Sequence, residues 1–182
     1  MKVISGIYKG RILEGFTIDG TRPTMDRVKE SLFAMLQNNM VGSVVLDLFS
    51  GSGNLGIEAL SEGASYAYLV DSNRKATKVI ENNINKLGIN NCKIMTNDYL
   101  KSLDILKEDN IKLDIIFLDP PYKTNYISKA IERIMKLDLL NDKGIIVCET
   151  DSLDKIKILE KLSSIKEKKY GDKYIVLLQK MW

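Results

Sequence analysis

Short apolar runs alternate with amphipathic segments along most of the chain. Each run is bounded by turn residues and is rich in branched aliphatic side chains, which is typical of strands buried on both faces. Between the runs, apolar residues recur at helical spacing. In chain order the pattern predicts strands at 44–48, 67–70, 93–96 and 113–118, with helices at about 55–63, 73–87 and 99–108 between them.

The alternation continues beyond the fourth strand, where the pattern predicts a helix at about 125–136 and a strand at 144–148. A helix at about 153–163 and a final hairpin ending in 174–178 are predicted next. Strands that alternate with helices in this way form a mostly parallel, doubly wound α/β sheet, because each crossover helix packs back onto the sheet. The hairpin would add antiparallel pairing at one edge.

The N-terminal region has a different pattern, in which short apolar stretches are separated by glycines. Residues 2–20 therefore indicate a β-hairpin or a three-stranded arm whose third strand would be 16–18. An extended loop at 21–24 is expected next, because the residue before a proline is pushed out of the helical region. Thr24 suits the cap of a helix that reaches about Asn38. These features divide the chain into an N-terminal β extension, 1–24, and a main domain, 25–182.

Composition narrows the class of protein. The chain has 182 residues, of which 45% are apolar and 28% charged, as in ordinary globular proteins. No apolar run approaches the roughly 20 residues that span a bilayer, so we expect no membrane attachment. Cys92 and Cys148 are too far apart for a metal motif, which favours a reduced, cytoplasmic protein without a metal. The chain contains no histidine, and this excludes Ser-His-Asp hydrolysis and histidine-bound metals.

The first strand ends at Asp47, and a glycine-rich turn that begins at Ser50 follows it. Gly51 and Gly53 let the backbone approach a ligand closely at the N-terminus of the next helix. Together with Gly56 they also match the dinucleotide fingerprint, so a nicotinamide cofactor is one alternative. Asp47 favours S-adenosylmethionine instead, because a carboxylate repels a pyrophosphate and attracts the ammonium and sulfonium groups. A turn that only packs the strand on the helix is the other alternative.

Acidic residues end the first four strands, at Asp47, Asp71, Asp98 and Asp119. The carboxyl ends of parallel strands meet at one edge of the sheet, where ligands bind, so these side chains should line a single pocket. Asp71 would accept hydrogen bonds from ribose hydroxyls, and Asp98 from an adenine amino group. Tyr99 or Leu100 would cover a face of the adenine ring. Alternatively, Asp98 only caps the following helix.

The fourth strand runs into the sequence Asp-Pro-Pro-Tyr at 119–122. Two prolines stop the strand ladder and hold the backbone rigid, so the Asp119 carboxylate and the Pro120 carbonyl can accept hydrogen bonds from one amine or amide. These bonds strengthen as positive charge develops on the nitrogen during attack on a methyl group, and they therefore stabilise the transition state selectively. Tyr122 would stack on a target base. The structural alternative is a rigid exit from the strand with a packing tyrosine.

The basic residues are distributed unevenly, although the net charge is only +3. Three of the five arginines lie in the first 27 residues, and arginine binds phosphate with a planar fork that lysine lacks. The N-terminal segment is therefore predicted to contact RNA phosphates, although ordinary surface charge explains any single arginine equally well. The predicted RNA-binding residues are Lys9, Arg11, Arg22, Thr24 and Arg27.

The glycine turn and the Asp-Pro-Pro-Tyr sequence resemble those of S-adenosylmethionine-dependent amino methyltransferases. More narrowly, the chain resembles the RsmD family of bacterial enzymes, which methylate N2 of a guanine in 16S ribosomal RNA. The segment at 21–28 is the most particular to that family. Ser50 stands where we expect alanine in the family, and Glu62 where a basic residue is commoner. The matching stretches are 4–11, 21–30, 47–60, 119–122 and 170–172.

The resemblance implies a Rossmann-like class I methyltransferase with a seven-stranded sheet whose last strand is antiparallel. The implied cofactor is S-adenosylmethionine, and the implied partner is 16S rRNA within an assembling small ribosomal subunit; we expect the enzyme to act as a monomer. The target base must leave its stack to reach the prolines. The implied contacts are Asp47, Gly51, Gly53, Asp71 and Asp98 for the cofactor, and Asp119, Pro120 and Tyr122 for the target.

Three other functions stay open. One is an amino methyltransferase that acts on adenine N6 in nucleic acid or on a protein amide, and the arginine-bearing arm favours nucleic acid. A nicotinamide oxidoreductase is the second, which Asp47 and the prolines disfavour. The third is a non-catalytic ribosome-assembly factor that keeps the fold, against which the intact acidic positions argue.

Overall fold

Seven strands form one mixed sheet at the centre of the protein. The computed structural model describes residues 1–16 and 26–182. The strands are β1 (Val44–Asp47), β2 (Tyr66–Asp71), β3 (Cys92–Thr96), β4 (Leu113–Leu118), β5 (Leu140–Thr150), β6 (Leu162–Tyr170) and β7 (Lys173–Lys180). Their order is β3-β2-β1-β4-β5-β7-β6, in which β1 to β5 run parallel and β7 pairs antiparallel with both β5 and β6. This architecture confirms the predicted doubly wound, mostly parallel sheet.

Helices cover both faces of the sheet. They are α1 (Asp26–Met35), α2 (Gln37–Met40), α3 (Asn54–Ser61), α4 (Arg74–Leu87), α5 (Tyr99–Glu108) and α6 (Tyr126–Lys136). Buried residues of α1, α3 and α4 belong to one apolar cluster, and those of α5 and α6 to another. Neighbours such as Val45 and Leu46 belong to different clusters, because successive strand residues point to opposite faces. Among the described residues, no helix has the length and apolarity needed to cross a membrane.

The predicted helix at 153–163 is wrong. The structure has only a 3-10 turn at Leu153–Lys155, and the chain then enters β6. β6 pairs with β7 through a tight turn at Gly171, whose φ of 61° favours glycine. The ladder with β7 takes up the last two positions of the predicted helix, Leu162 and Ser163. β5 is likewise longer than the predicted 144–148, because it pairs with β4 on one side and β7 on the other.

The N-terminal residues form a small hairpin, as both alternatives predicted for the first two stretches. Lys2 and Ile12 form an antiparallel bridge. The amide of Val3 donates to the carbonyl of Arg11 at 2.9 Å, and the amide of Gly10 donates back to the carbonyl of Val3 at 2.8 Å. The hairpin is therefore held by its own backbone hydrogen bonds.

Several N-terminal predictions lie partly or wholly outside the described residues. These are the third strand at 16–18, the loop at 21–24 with its Thr24 cap, and the boundary between the 1–24 extension and the 25–182 domain. The boundary therefore stays a prediction. The helix that follows begins at Asp26 and ends at Met35, and the short α2 carries the chain on to Met40.

Candidate active site

A cavity of about 290 Å³ opens at the carboxyl ends of the parallel strands. Its volume is near the lower end of the range for small-molecule sites. The glycine turn, the ends of β1 and β2, and the segment after β4 all contribute to its wall. The sequence-predicted residues that line it are Asp47, Ser50, Gly51, Asp71, Asp98, Tyr99, Asp119, Pro120 and Tyr122.

Asp47 is the most deeply buried acid in this wall, with only 1% of its surface exposed. Its Oδ2 atom accepts hydrogen bonds from Ser50 Oγ and from the Gly56 amide, both at 3.0 Å. Its Oδ1 atom has no hydrogen-bond partner in the described part of the chain. Burial raises the pKa of Asp47 to about 7. A cationic ligand would therefore stabilise the ionised form, because it supplies the charge and the donor that the protein does not.

Asp71 connects the end of β2 to the glycine turn. Its Oδ2 atom accepts a hydrogen bond from the Gly51 amide at 3.0 Å, and its Oδ1 atom accepts one from the Asn73 amide at 2.9 Å. Burial raises the pKa of Asp71. Each carboxylate oxygen can accept a second hydrogen bond, so Asp71 keeps the capacity to bind ligand hydroxyls while it holds the turn.

The glycines of the turn have separate structural tasks. Gly51 lines the cavity, and its φ of 56° is left-handed. Gly53 does not line the cavity; it precedes α3 with a φ of 85°. A Cβ atom on Gly56 would lie 2.1 Å from Leu69 Cδ2, so Gly56 allows α3 to pack closely on β2. The alternative of a turn that packs strand on helix therefore describes Gly53 and Gly56, whereas Gly51 faces the ligand space.

Asp98 caps α5, as the structural alternative predicted. Its Oδ2 atom accepts hydrogen bonds from the amides of Leu100 and Lys101, at 3.0 and 3.3 Å. Asp98 also lines the cavity, and both of its cap hydrogen bonds end on the same oxygen. The cap therefore leaves the Oδ1 atom able to accept a ligand donor.

An aromatic group forms one side of the cavity, and sequence analysis identified only one of its members. The rings of Phe49 and Tyr126 lie 5.2 and 4.8 Å from that of Tyr99, measured between centroids. All three residues line the cavity. Phe49 lies between Asp47, at the end of β1, and the glycine turn, and this position in the sequence could have identified it as a cavity residue. Such a group can cover the face of a flat, uncharged ring.

The segment after β4 forms the other side of the cavity. Burial and the neighbouring negative charge of Glu149 raise the pKa of Asp119 well above its usual range. Pro120 is buried, and Tyr122 is half-buried. The Lys173 ammonium lies 2.5 Å from Glu149 Oε1 and 5.6 Å from the centroid of the Tyr122 ring. Sequence analysis missed Glu149 and Lys173, because they belong to β5 and β7, far along the chain from 119–122.

The predicted RNA-binding residues do not line the cavity where the structure describes them. Lys9, Arg11 and Arg27 are exposed, on the N-terminal hairpin and on α1. Arg11 Nη2 donates to the Lys86 carbonyl at 3.3 Å. Arg22 and Thr24 lie outside the described residues. RNA binding by these side chains stays a prediction.

The sheet order, the antiparallel β7, and a cavity beside a glycine turn at the carboxyl ends of parallel strands define a class I methyltransferase fold. Within that class, the chain belongs to the family described as conserved hypothetical protein 95, whose model matches residues 1–179.

Individual relatives agree with this assignment. The Bacillus subtilis protein YlbH is 40% identical over 152 residues, which are 83% of this chain and 83% of the relative. The Haemophilus influenzae ribosomal RNA small subunit methyltransferase D is 33% identical over 175 residues, 94% of this chain and 89% of the relative. The solved structure of Escherichia coli YhhF superimposes with a TM-score of 0.87 at 27% identity, over 100% of this chain and 98% of that one. The resemblance to the RsmD family is thereby confirmed.

Proposed function

We propose that this protein transfers a methyl group from S-adenosylmethionine to the exocyclic N2 amine of a guanine in small-subunit ribosomal RNA. The observation that carries the proposal is that one cavity is lined both by Asp47, with its unpartnered carboxylate oxygen, and by Asp119 and Pro120. A group that attracts a cation and a pair of rigid acceptors therefore share a single ligand space.

The cofactor would occupy the part of the cavity between β1 and α5. Bound there, S-adenosylmethionine supplies an electrophilic methyl group. Asp47 would accept a hydrogen bond from its ammonium group, and Asp71 would accept hydrogen bonds from the ribose hydroxyls. Asp98 would accept a hydrogen bond from the adenine amino group, while the ring of Tyr99 covers the base and excludes water. These contacts fit the cofactor, because its charges and donors match the acceptors present.

The target amine would lie against Asp119 and Pro120. Both residues accept hydrogen bonds from the amine, and both become better partners as the nitrogen acquires positive charge. Their rigid backbone keeps the nitrogen in line with the methyl carbon, which lowers the entropic part of the barrier. Tyr122 would stack on the extruded base, an interaction worth about 1–3 kcal/mol. No histidine base is needed, because the methylated amine is acidic enough to lose its proton to a carboxylate.

The choice of ribosomal RNA rests on the relatives and on the distribution of charge. The Haemophilus influenzae relative is named for methylation of small-subunit ribosomal RNA. Lys9, Arg11 and Arg27 expose basic side chains on the N-terminal side of this chain, outside the cavity. Guanine N2 is the position that the family resemblance implies for the acceptor.

The test is methyl transfer from labelled cofactor to small ribosomal subunits purified from cells that lack this protein. After digestion to nucleosides, N2-methylguanosine is expected from the 16S rRNA. Label in N6-methyladenosine or in a ribosomal protein would contradict the proposed acceptor, and no label in any component would contradict the proposed reaction.

Asp119→Ala is expected to abolish this turnover while the cofactor Kd changes by less than about 3-fold, because Asp119 is assigned to the target and not to the cofactor. Asp151→Ala is the control, since Asp151 is an exposed acid just beyond the end of β5. Retained turnover in Asp119→Ala would remove the central role of Asp119.

A further inference from the structure

Glu149 and Lys173 are brought behind Asp119 by the pairing of three strands. β4 and β5 run parallel with Leu118 opposite Cys148, so Asp119, the residue after β4, lies beside Glu149 near the end of β5. β7 runs antiparallel to β5 with Tyr174 opposite Thr150, which places Lys173 at the same end of the sheet. Lys173 is therefore the first residue of β7 at the edge where the cavity opens.

The side chains of this group are in contact and nearly enclosed. Lys173 Nζ lies 2.5 Å from Glu149 Oε1, and the two side chains are 13% and 5% exposed. Asp119 neighbours this pair, and the charges of both Glu149 and Lys173 act on it. On its other side, the Lys173 ammonium lies 5.6 Å from the centroid of the Tyr122 ring, within cation–π distance. The Lys173 ammonium thus links Glu149, the neighbour of Asp119, to Tyr122, the ring assigned to the target base.

Lys173 supplies a positive charge that offsets the negative charges around Asp119. The charged groups that act on Asp119 are Asp47 of β1, Glu149 of β5 and Lys173 of β7, and Lys173 in turn contacts Tyr122. Two adjacent buried carboxylates repel each other, and one of them tends to hold a proton. Burial and Glu149 raise the pKa of Asp119, whereas the ammonium of Lys173 opposes this rise. Lys173 therefore favours the ionised, acceptor-only form of Asp119.

We propose that Glu149 and Lys173 are positioning residues for the target amine. Glu149 holds the Lys173 ammonium beside Asp119, and Lys173 neutralises this pair of acids so that Asp119 can ionise and accept hydrogen bonds from the amine, while the same ammonium holds the Tyr122 ring in place. The inference rests on the proposed function, since it requires Asp119 to accept hydrogen bonds from the target. Neither residue lines the cavity, so both act through Asp119 and Tyr122.

The same strand offers a matched control for a purely structural ion pair. Lys180 lies at the other end of β7, where its side chain is 10% exposed and its ammonium is 3.0 Å from Asp138 Oδ1. Lys180→Met removes a similarly enclosed lysine from the same strand, away from the cavity.

The first measurement is steady-state methyl transfer to small ribosomal subunits. Lys173→Met and Glu149→Gln are each expected to lower kcat by about 10- to 100-fold, the effect of a misplaced reacting group. The cofactor Kd should stay within about 3-fold of wild type, because the cofactor acids are untouched. Lys173→Arg, which keeps the charge and the contact with the ring, should restore kcat to within about 3-fold. Lys180→Met should leave kcat unchanged.

The second measurement is the pH profile of kcat/KM. The ionised form of Asp119 is the better acceptor for the amine that it shares with the Pro120 carbonyl, so activity rises with pH along an acidic limb. Glu149→Gln removes the neighbouring negative charge, lowers the pKa of Asp119, and should move this limb to lower pH. Lys173→Met removes the opposing cation and should move it to higher pH. A merely structural pair would not shift the limb in opposite directions.

The outcomes separate this inference from the proposed function. If Asp119→Ala abolishes turnover while both variants keep wild-type kcat and an unshifted limb, the positioning role is overturned and the methyltransferase assignment stands. If Asp119→Ala itself keeps turnover, Asp119 does not hold the target amine and the positioning role is overturned with it; if the wild-type protein transfers no label, the proposed function fails. Unfolding of both Lys173→Met and the nearly isosteric Glu149→Gln, seen as loss of the thermal transition, would assign the pair to the fold and also overturn the proposal.

Discussion

Two buried lysine–glutamate pairs in this protein have the same composition and different surroundings. Lys29 Nζ lies 3.0 Å from Glu58 Oε1, with both side chains 0% exposed, and Lys173 Nζ lies 2.5 Å from Glu149 Oε1. Each pair has a further acid beside it, whose pKa is raised by burial and by the neighbouring glutamate. That acid is Glu62 in the first pair, with a pKa of about 8, and Asp119 in the second.

The first pair directs its hydrogen bonds into the protein. Lys29 also donates to the Lys2 carbonyl at 2.7 Å and to Asn54 Oδ1 at 2.8 Å. Glu58 accepts hydrogen bonds from the amides of Ile4 and Ser5, at 2.8 and 3.1 Å. This network fastens the N-terminal hairpin to α1 and α3, and it explains why Lys29 tolerates complete burial.

The second pair stands beside a cavity, and its third acid lines that cavity. The comparison teaches that a lysine–glutamate pair forms a structural anchor where the lysine and the glutamate direct their other hydrogen bonds to groups of the protein. The same pair is suited to act on a ligand where a neighbouring acid faces open space. The family position at Glu62 is explained in the same way. Here the Glu62 carboxyl group interacts with the charges of Glu58 and Lys29, and it is therefore part of the anchor.

The largest effect that distinguishes the two pairs is on stability. Lys29→Met leaves Glu58 buried without its cation and should lower the free energy of unfolding by about 3–5 kcal/mol. Urea denaturation followed by circular dichroism measures it. Lys78→Met removes an exposed pair with Glu81 and should cost less than about 1 kcal/mol. If the two variants lose similar stability, Lys29 is not an anchor.

Asp47 sharpens the comparison, because it is a buried acid whose charge is not neutralised by any lysine of residues 1–16 and 26–182. Burial raises its pKa from 3.8 to about 7, so between these values the folded state holds a proton that the unfolded state releases. The proton on Asp47 therefore contributes fully to the free energy of unfolding below about pH 4. This contribution, at most about 4 kcal/mol, is lost as the pH rises to about 7. Asp47→Asn should flatten this decline and weaken cofactor binding.

The measurement is the free energy of unfolding without cofactor, compared between pH 5 and pH 7.5 by urea denaturation. Asp138→Asn is the control, because Lys112 and Lys180 lower the pKa of Asp138 to about 2, and its titration falls below this interval. An equal decline in wild type and Asp47→Asn would show that the Asp47 carboxyl is not the group that titrates.

The smallest predicted effect concerns RNA binding by the arginines of the N-terminal segment. Arg22→Ala and Arg27→Ala should each reduce the slope of log K for RNA binding against log salt by about 1, if each side chain contacts one phosphate. Stability should be unchanged, since Arg27 is exposed. Filter binding at several salt concentrations measures the slope. Arg133→Ala is the control, because Arg133 pairs with Asp104 at 2.6 Å. An equal slope in all variants would contradict the prediction that Arg22 and Arg27 contact RNA phosphates.

Much of the candidate site could be predicted because parallel strands impose it. Once four apolar runs are assigned to one parallel sheet, the acids that end them must meet at its carboxyl edge, and all four line the cavity. The Asp98 cap was also predictable, since the side chain bonds amides two and three residues further on. The end of the failed helix at 153–163 has the opposite cause: β6, which begins at Leu162, exists because β7 is available to pair with it.

The sequence by itself determined the order of strands and helices from β1 to β5, the acids at the strand ends and the rigid segment after β4, because each depends on neighbours within a few residues. Only the tertiary structure decided which charges meet. Lys29 and Glu58 are 29 positions apart and Glu149 and Lys173 are 24 apart, and no local pattern marks either pair. The packed surroundings then distinguish the structural pair from the pair beside the cavity, because the cost of removing a charge from water depends on all the groups around it and not on the residue that carries it.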